Sequence, residues 1–480
     1  MKNILFAASE CAPFLKTGGL ADVVGSLPKY LDKAYFDCRV VMPYYSCMDP
    51  KWRSLATFHS SFYMDIDGKD VYVGILECDY DGVHYYFIDN EEYLGREKPY
   101  LGMPTDLGRF AFFCKAVLSI LPVVGFRPDI IHCHDWQTGF IPVYLNSFFQ
   151  GNSFFHGIKS IMTIHNLKFQ GIWDKPLFMK VSGLPEYYFS PDKMEFHRDA
   201  NMLKGGMVYA NALTTVSATY AEEIKTPYYG ERLDGLLRAR AHDLRGIVNG
   251  IDYDVFNPET DEMIPYHFSA EDPSNKKKVK EELQKRMGLS TEGDAMVIGI
   301  VSRLTDQKGF DLIACVMEEM LQDNVQFAVL GTGDQRYEDM FRYFADKYPG
   351  KVGAAIYYSE EVAHMIYAGS DAFLMPSAFE PCGLSQMMAM RYGSLPIVRE
   401  TGGLKDTVQP YNEFDKSGTG FSFTNYNAHD MMNVVRYAEK VYFDRPDDWA
   451  QLVKQAMNAD YSWKASALKY QEMYDWMCGY

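Results

Sequence analysis

No run of this 480-residue chain stays apolar for the roughly 18 residues that a membrane-crossing helix needs. The opening apolar stretch, Ile4–Ala8, is too short for a secretory signal and reads as a buried strand. The nine cysteines are odd in number, scattered and without a CxxC pair, which speaks against a disulfide framework and for reduced thiols in a cytoplasmic protein. Basic residues are in deficit: 47 Lys and Arg face 64 Asp and Glu, a net charge of −17. That balance argues against a nucleic-acid partner and against an anionic membrane surface. Low-complexity tracts, a Walker loop and the spaced GxGxxG of dinucleotide binders are also missing.

What is present is enough apolar material, 47%, for two full cores. Aromatics reach 15%, with 35 Tyr and 31 Phe; most should fill cores, although aromatic faces also stack on sugar rings. Short apolar runs alternate with helical stretches throughout, the pattern of βαβ units and parallel sheets. In the first half the expected strands are Ile4–Ala8, Arg39–Met42, Ile130–Cys133, Ser160–Ile164 and Leu213–Val216. Between Phe58 and Asp89 aromatic and polar residues alternate around Asp67-Gly68 and Asp81-Gly82, which predicts β-hairpins. In the second half the expected strands are Val297–Val301, Gln326–Leu330, Ala354–Tyr357, Ala372–Met375 and Leu395–Val398. The polar segment Asn257–Asp294, with its Lys276–Lys278 run, reads as a connector plus a surface helix. Thr17–Asp22 (TGGLAD) is echoed by Thr401–Asp406 (TGGLKD), one copy in each half. Duplicated α/β domains would explain the echo, and chance is the rival explanation.

The candidate chemistry lies just after the strands, where open α/β sheets bind ligands. Lys16, Gly18 and Gly19 precede a helix, whose N-terminus favours anions. His132 and His134 alternate along a strand that ends in Asp135, and His165-Asn166 closes the next one. Both are polar groups suited to hydrogen-bonding sugar hydroxyls; a metal site at His132 and His134 lacks a third ligand. Arg303 and Lys308 follow a strand closely enough to clamp a diphosphate, although ordinary exposed cations give the same spacing. Leu330–Asp334 is a Gly-rich turn, and Glu380 stands shortly before Gly383, which opens a helix. Cys382 at that helix start is read either as a thiol of lowered pKa or as a small buried filler.

In combination these segments resemble the bacterial glycogen synthase and plant starch synthase family. The resemblance rests on Lys16–Val23 (KTGGLADV), His134–Trp136 (HDW), Ile164–Gly171 (IHNLxxQG), Val248–Asp252 (VNGID), Ser302–Gly309 (SRLTxQKG), Leu330–Asp334 (LGTGD), Phe379–Gln386 (FEPCGLSQ) and Thr401–Val408 (TGGLxDTV). It implies an α/β GT-B fold, two Rossmann-like domains facing a deep interdomain cleft with a C-terminal helix crossing back. The implied boundaries are 1–250, 251–459 and 460–480, with Trp463, Leu468, Met473 and Trp476 expected along the final helix. The implied reaction is retaining transfer of glucose from ADP-glucose to the non-reducing end of an α-1,4-glucan. Carried over, the resemblance places Lys16, Gly18, Gly19, Arg303 and Lys308 on the diphosphate. Asp135, His165 and Asn166 then line the glucose and acceptor side, Asn249 sits near the transferred sugar, and Tyr358 packs on the adenine. Glu380 approaches the glucose, with Cys382, Gly383 and Leu384 in close backbone contact. No cofactor and no metal are expected, because cations already neutralise the phosphates. Gln137 replaces a His found in many relatives, and the stretch around Tyr100 matches the family's acceptor-side loop only in part, which leaves acceptor preference open. Met388 stands where the wider fold class carries a second Glu, favouring the synthase family. The alternatives are a UDP-sugar-dependent transferase with another acceptor and a catalytically silent glycan-binding protein.

Overall fold

In the computed structural model, which describes residues 1–479, the chain divides into two compact units. The first holds residues 1–216 and 221–247 together with the stretch from Trp463 onward; the second holds Ser217–Tyr220 and Val248–Ser462. Tyr480, the end of the expected final helix, lies outside the described residues.

The first unit contains, in chain order, β1 (Lys2–Ala7), β2 (Phe36–Pro43), β3 (Thr57–Ile66), β4 (Lys69–Tyr80), β5 (Val83–Asp89), β6 (Ile130–His134), β7 (Lys159–Ile164), β8 (Ile172–Asp174), β9 (Glu195–Phe196), β10 (Asp199–Asn201), β11 (Ala212–Thr215) and β12 (Leu244–Gly246). Nine of them form one sheet in the order β12-β11-β7-β6-β1-β2-β5-β4-β3, and β8, β10 and β9 form a small one. Pairing is parallel from β12 to β5 and antiparallel from β5 to β3. Ile4, Leu5 and Phe6 are wholly buried, as a central parallel strand covered on both faces requires. The β3–β4 and β4–β5 turns place both Asp67-Gly68 and both Asp81-Gly82 at positive φ, the twist that two-residue hairpins favour.

The final helix, Trp463–Cys478, packs within this first unit. Its buried face is Trp463, Ser466, Ala467, Tyr470, Met473, Tyr474 and Met477, a spacing of three and four. Leu468 and Trp476, expected along the apolar stripe, are instead 56% and 49% exposed. Leu468 stands five positions after Trp463, which turns it well away from the buried face at 3.6 residues per turn. Trp476 lies under the Arg245 guanidinium, 4.4 Å from the ring centroid.

The second unit is one parallel sheet of β13 (Met296–Val301), β14 (Val325–Leu330), β15 (Val352–Ala355), β16 (Ala372–Met375), β17 (Leu395–Arg399) and β18 (Phe421–Phe423). Their order is β15-β14-β13-β16-β17-β18. The strand expected at Ala354–Tyr357 starts earlier and stops at Ala355, opposite Leu330, where its partner β14 also ends. Residues 356 and 357 therefore leave the sheet. Lys276 is tucked in, its Nζ donating to the carbonyls of Ala368 and Tyr392.

Both main sheets reverse strand order at a central strand, between β1 and β6 in the first unit and between β13 and β16 in the second. The loops beyond those strand ends are where a ligand finds room. The TGGL echo does not mark corresponding places. Its first copy follows β1, the central strand of its sheet, whereas the second follows β17, next to the edge. The second copy serves packing: a Cβ on Gly403 would lie 1.9 Å from the Cys382 carbonyl oxygen. Nothing lies within 4 Å of a Cβ built on Gly18, and its φ of −162° is open to any residue.

Replacing Trp463 by Ala should cost about 3–5 kcal/mol, whereas Leu468→Ala should stay within roughly 0.5 kcal/mol. Denaturant midpoints of the two variants check the placement, and equal losses would contradict it.

Candidate functional site

In the second unit the switch point forms a small cavity, about 160 Å³, between the ends of β13 and β16. Ser302, Arg303, Lys308, Pro376, Ser377 and Ser385 contribute to its wall. Two loops are laced together here. The Ala378 N–H donates to the Gln307 carbonyl at 2.9 Å, and Gln307 Nε2 donates to the Phe379 carbonyl at 3.3 Å. Gly309, at φ +75°, lies so close that a Cβ would stand 2.1 Å from the Pro376 carbonyl oxygen. This lacing delivers Lys308 to Glu380: Nζ donates to Oε2 at 2.6 Å, and Ser377 Oγ donates to the same oxygen at 3.0 Å. Glu380 is buried, and Arg303 is exposed at the rim.

Cys382 is buried behind Glu380, and its sulfur receives the backbone N–H of Asn249. Burial pushes the thiol up to about 12, so the reading of a lowered thiol pKa does not hold here. The carboxylates of Glu380 and Asp406 push it in the same direction, and the one Asn249 N–H does not offset desolvation of a thiolate. Asn249 is itself buried, and its Oδ1 has no hydrogen-bond partner among the described residues. An orphaned buried acceptor is costly unless a ligand satisfies it. Gly383 takes φ +69°, and Leu384 leads into the helix Ser385–Arg391. Tyr358 stands apart beyond β15, 79% exposed, with its hydroxyl on Glu360.

The first unit carries a second polar cluster at its own switch point. Asp135 follows β6 at φ +57° and ψ −177°, a backbone state that strains a non-glycine residue. Its carboxylate accepts the backbone N–H of His165 at 2.7 Å and that of Asn166. Burial nevertheless wins and raises Asp135 to about 7. His134 Nδ1 and His165 Nε2 are 2.9 Å apart. His132 contacts the Tyr474 hydroxyl through Nδ1 and the Thr163 hydroxyl through Nε2. Both His132 nitrogens are thus engaged, which leaves none for a metal. Burial holds His132 and His165 down at about 3 and His134 well below its ordinary value, so all three rings are neutral.

Lys16 is paired with Asp22, in the first turn of the helix that follows, at 2.7 Å. The Lys16 loop is held by Glu10, whose carboxylate accepts the Thr17 N–H at 2.5 Å, and Gly18 caps the helix that Gly19 begins. Glu10 is buried, and burial raises its pKa. Tyr100 joins it through a 2.8 Å contact of its hydroxyl with Ser9 Oγ. Glu10 and Ser377 went unmarked as site residues in the sequence, and Tyr100 was marked only as part of a loop that matches the family's acceptor side in part. A carboxylate directly after the first buried strand was the available signal for Glu10. Gln137 is buried, with Oε1 unpartnered.

The structure therefore groups Arg303, Lys308, Glu380, Cys382 and Asn249 in the second unit, and Asp135, His165 and Asn166 in the first. Lys16, Gly18 and Gly19 form the separate loop after β1. Among the described residues no group of three or more His, Cys, Asp or Glu side chains is placed to hold a metal ion, and no helix is long and apolar enough to cross a membrane.

Two parallel α/β units, each with polar loops at its switch point, have the GT-B fold of glycosyltransferases. Residues 3–239 match the starch synthase catalytic domain family, and residues 281–456 match the glycosyl transferases group 1 family. The glycogen synthase of Lachnospira eligens is 58% identical over 476 residues, covering 99% of this chain and 100% of the relative. That of Lachnoclostridium phytofermentans is 56% identical with the same coverage. The catalytic domain of starch synthase IV from Arabidopsis thaliana, solved bound to ADP and acarbose, superposes with a TM-score of 0.89 at 33% identity, covering 100% of this chain and 99% of that one. The chain belongs to the glycogen synthase and starch synthase family of glycosyltransferases.

The charge state of Asp135 yields a test. Its folded pKa near 7 exceeds the unfolded value near 4, so the folded state binds the proton more tightly. Stability from this group is full below about pH 4 and is lost as pH rises through about 7. Asp135→Asn removes that loss, so the variant should gain on the unaltered protein by roughly 2–3 kcal/mol between pH 5 and pH 8. Denaturant unfolding of both proteins at the two pH values measures it. A constant difference would mean that Asp135 is already ionised at pH 5.

Proposed function

We propose that the chain transfers glucose, with retention, from ADP-glucose to the non-reducing end of an α-1,4-glucan and releases ADP. The observation that carries this reading is the pair Arg303 and Lys308 at the β13/β16 switch point, with Glu380 beside Lys308. Cleavage of the glucosyl–phosphate bond leaves negative charge on the departing diphosphate and oxocarbenium character on the sugar. Cations fixed where the anion forms lower that barrier. Asn249 Oδ1 offers an unused acceptor to a sugar hydroxyl, and Glu380 is the buried carboxylate of the same unit.

Gly18 supports a ligand at the Lys16 loop. Its φ is ordinary and nothing stands within 4 Å of a Cβ built on it, so the loop backbone is open to close approach by a ligand. The Asp135–His165–Asn166 cluster offers hydrogen bonds to the sugar and acceptor. The acceptor's 4-hydroxyl oxygen bonds to the anomeric carbon as the phosphate oxygen leaves, and the leaving phosphate takes the hydroxyl proton. Tyr358 is the adenine-side residue in this reading. No metal takes part, since Arg and Lys fill the neutralising role. The starch synthase neighbour solved with ADP supports the choice of an adenine nucleotide.

The deciding experiment offers ADP-glucose or UDP-glucose with a maltooligosaccharide, in buffer with and without EDTA, and sizes the products. Expected are glucan lengthening, ADP release, turnover of ADP-glucose at least about tenfold faster than of UDP-glucose, and no effect of EDTA. Faster turnover of UDP-glucose would establish the alternative transferase. Absence of nucleotide release from either donor would leave a glycan-binding protein, and loss in EDTA restored by magnesium would overturn the metal-free reading.

Asn249→Ala separates ligand contact from packing. Its Oδ1 satisfies nothing inside the unit, so stability should change by less than about 1 kcal/mol while kcat/KM falls about tenfold or more. Thermal unfolding and steady-state kinetics read the two effects, and unchanged kinetics would remove Asn249 from the site.

A further inference from the structure

Resting on the function proposed above, we infer that His134 is a positioning residue: its Nδ1–H donates to His165 Nε2, which leaves His165 with its hydrogen on Nδ1 as a donor for a sugar oxygen. The geometry begins with the 2.9 Å separation of His134 Nδ1 from His165 Nε2. That distance suits an N–H···N hydrogen bond and is shorter than a carbon–nitrogen contact would be, which favours this orientation of both rings. The two rings lie nearly coplanar and edge to edge, with centroids 5.2 Å apart and an interplanar angle of 28°. His132 stacks against His134, with centroids 4.4 Å apart. Phe6 lies parallel at 6.1 Å.

A neutral imidazole has one N–H and one bare nitrogen, so one ring must donate and the other accept. Both rings are neutral through burial. His134 Nε2 is buried with no partner among the described residues. If His165 were the donor, the hydrogen of His134 would sit on that nitrogen as an orphaned buried N–H, the rarest kind of unpaired group. With His134 as donor, the orphan is only a lone pair. The second arrangement fixes His165 as the Nδ1–H form. Histidine in water prefers the Nε2–H form, so His165 needs His134 to hold the less common one. The backbone of His165 is pinned independently by Asp135 at 2.7 Å. Ring and backbone are thus set by consecutive residues of one strand end.

The experiment uses the full chain with ring-15N histidine. Two-bond proton–nitrogen correlation distinguishes protonated from bare ring nitrogens, and His165→Gln assigns the signals. His165 should show a protonated Nδ1 and a bare Nε2. In His134→Phe, which keeps the stack and loses the donor, His165 should revert to Nε2–H and kcat/KM should fall about tenfold or more, mostly in kcat. His134→Asn, whose amide nitrogen replaces Nδ1, should restore the Nδ1–H signal and most of the rate. A protonated Nε2 on His165 in the unaltered protein overturns the inference outright. A folded His134→Phe protein with an unchanged His165 signal overturns the role of His134. Should His134→Phe fail to fold, the unaltered spectrum and His134→Asn decide. The tautomer is read without substrate, so its failure is distinguishable from failure of the glucan reading, which the donor assay reports.

Discussion

Exclusion of water from the carboxyl ends of β6 and β7 governs the first unit. Parallel strands covered on both faces leave no solvent for polar side chains in their interior. His132, His134 and Asp135 lie in that dry region, and burial is the largest influence on each. The consequences have opposite signs. The histidines resist protonation, so their contribution is full above their ordinary value and is lost as pH falls. Asp135 resists ionisation. Each shift reduces charge inside the unit, and because the histidines stay neutral they give Asp135 no cation that would draw its pKa down.

The second unit solves the opposite problem, keeping charge where an anion can use it. Lys308 and Glu380 are mostly buried and paired, so removing either strands the other. The pair is therefore fixed, and Lys308 acts from one position. Lys16 and Asp22 are 45% and 25% exposed, the class of ion pair worth roughly 0–1 kcal/mol. Lys16 is easily drawn from Asp22 toward a stronger anion. Arg303 makes no ion pair among the described residues. The three cations expected to act alike thus differ in freedom: one locked, one loosely held, one open.

Much of the fold was legible because its signals are local. Apolar runs placed the central strands of both sheets but not the short β8, β9, β10, β12 and β18, and Asp-Gly pairs placed both hairpin turns. What was illegible is tertiary. The stop of β15 at Ala355 is dictated by where β14 ends, and no pattern in Ala354–Tyr357 reveals it. The buried face of the final helix was misjudged because large residues were weighted over spacing; Ser466 and Ala467 are buried where Leu468 is not. The TGGL echo misled for a similar reason. A short Gly-rich string fits any tight helix entry, and only topology shows that one copy answers packing against Cys382.

Site residues were legible as positions and not as states. Motifs put Glu380 and Lys308 after their strands, but only the lacing of Gln307, Ala378 and Pro376 brings them within 2.6 Å. The same limit explains the misreading of Cys382. A helix start lowers a thiol's pKa only if the thiolate is solvated or faces a cation, and here desolvation outweighs the single Asn249 N–H. With a net charge of −17 the chain as a whole repels anions. Two of the three cations, Lys16 and Lys308, are also paired with carboxylates. Affinity for a phosphate then cannot come from a broad positive field. It has to come from short-range, directed contacts in places that exclude water, where a single N–H or ammonium counts for more than it would at the surface.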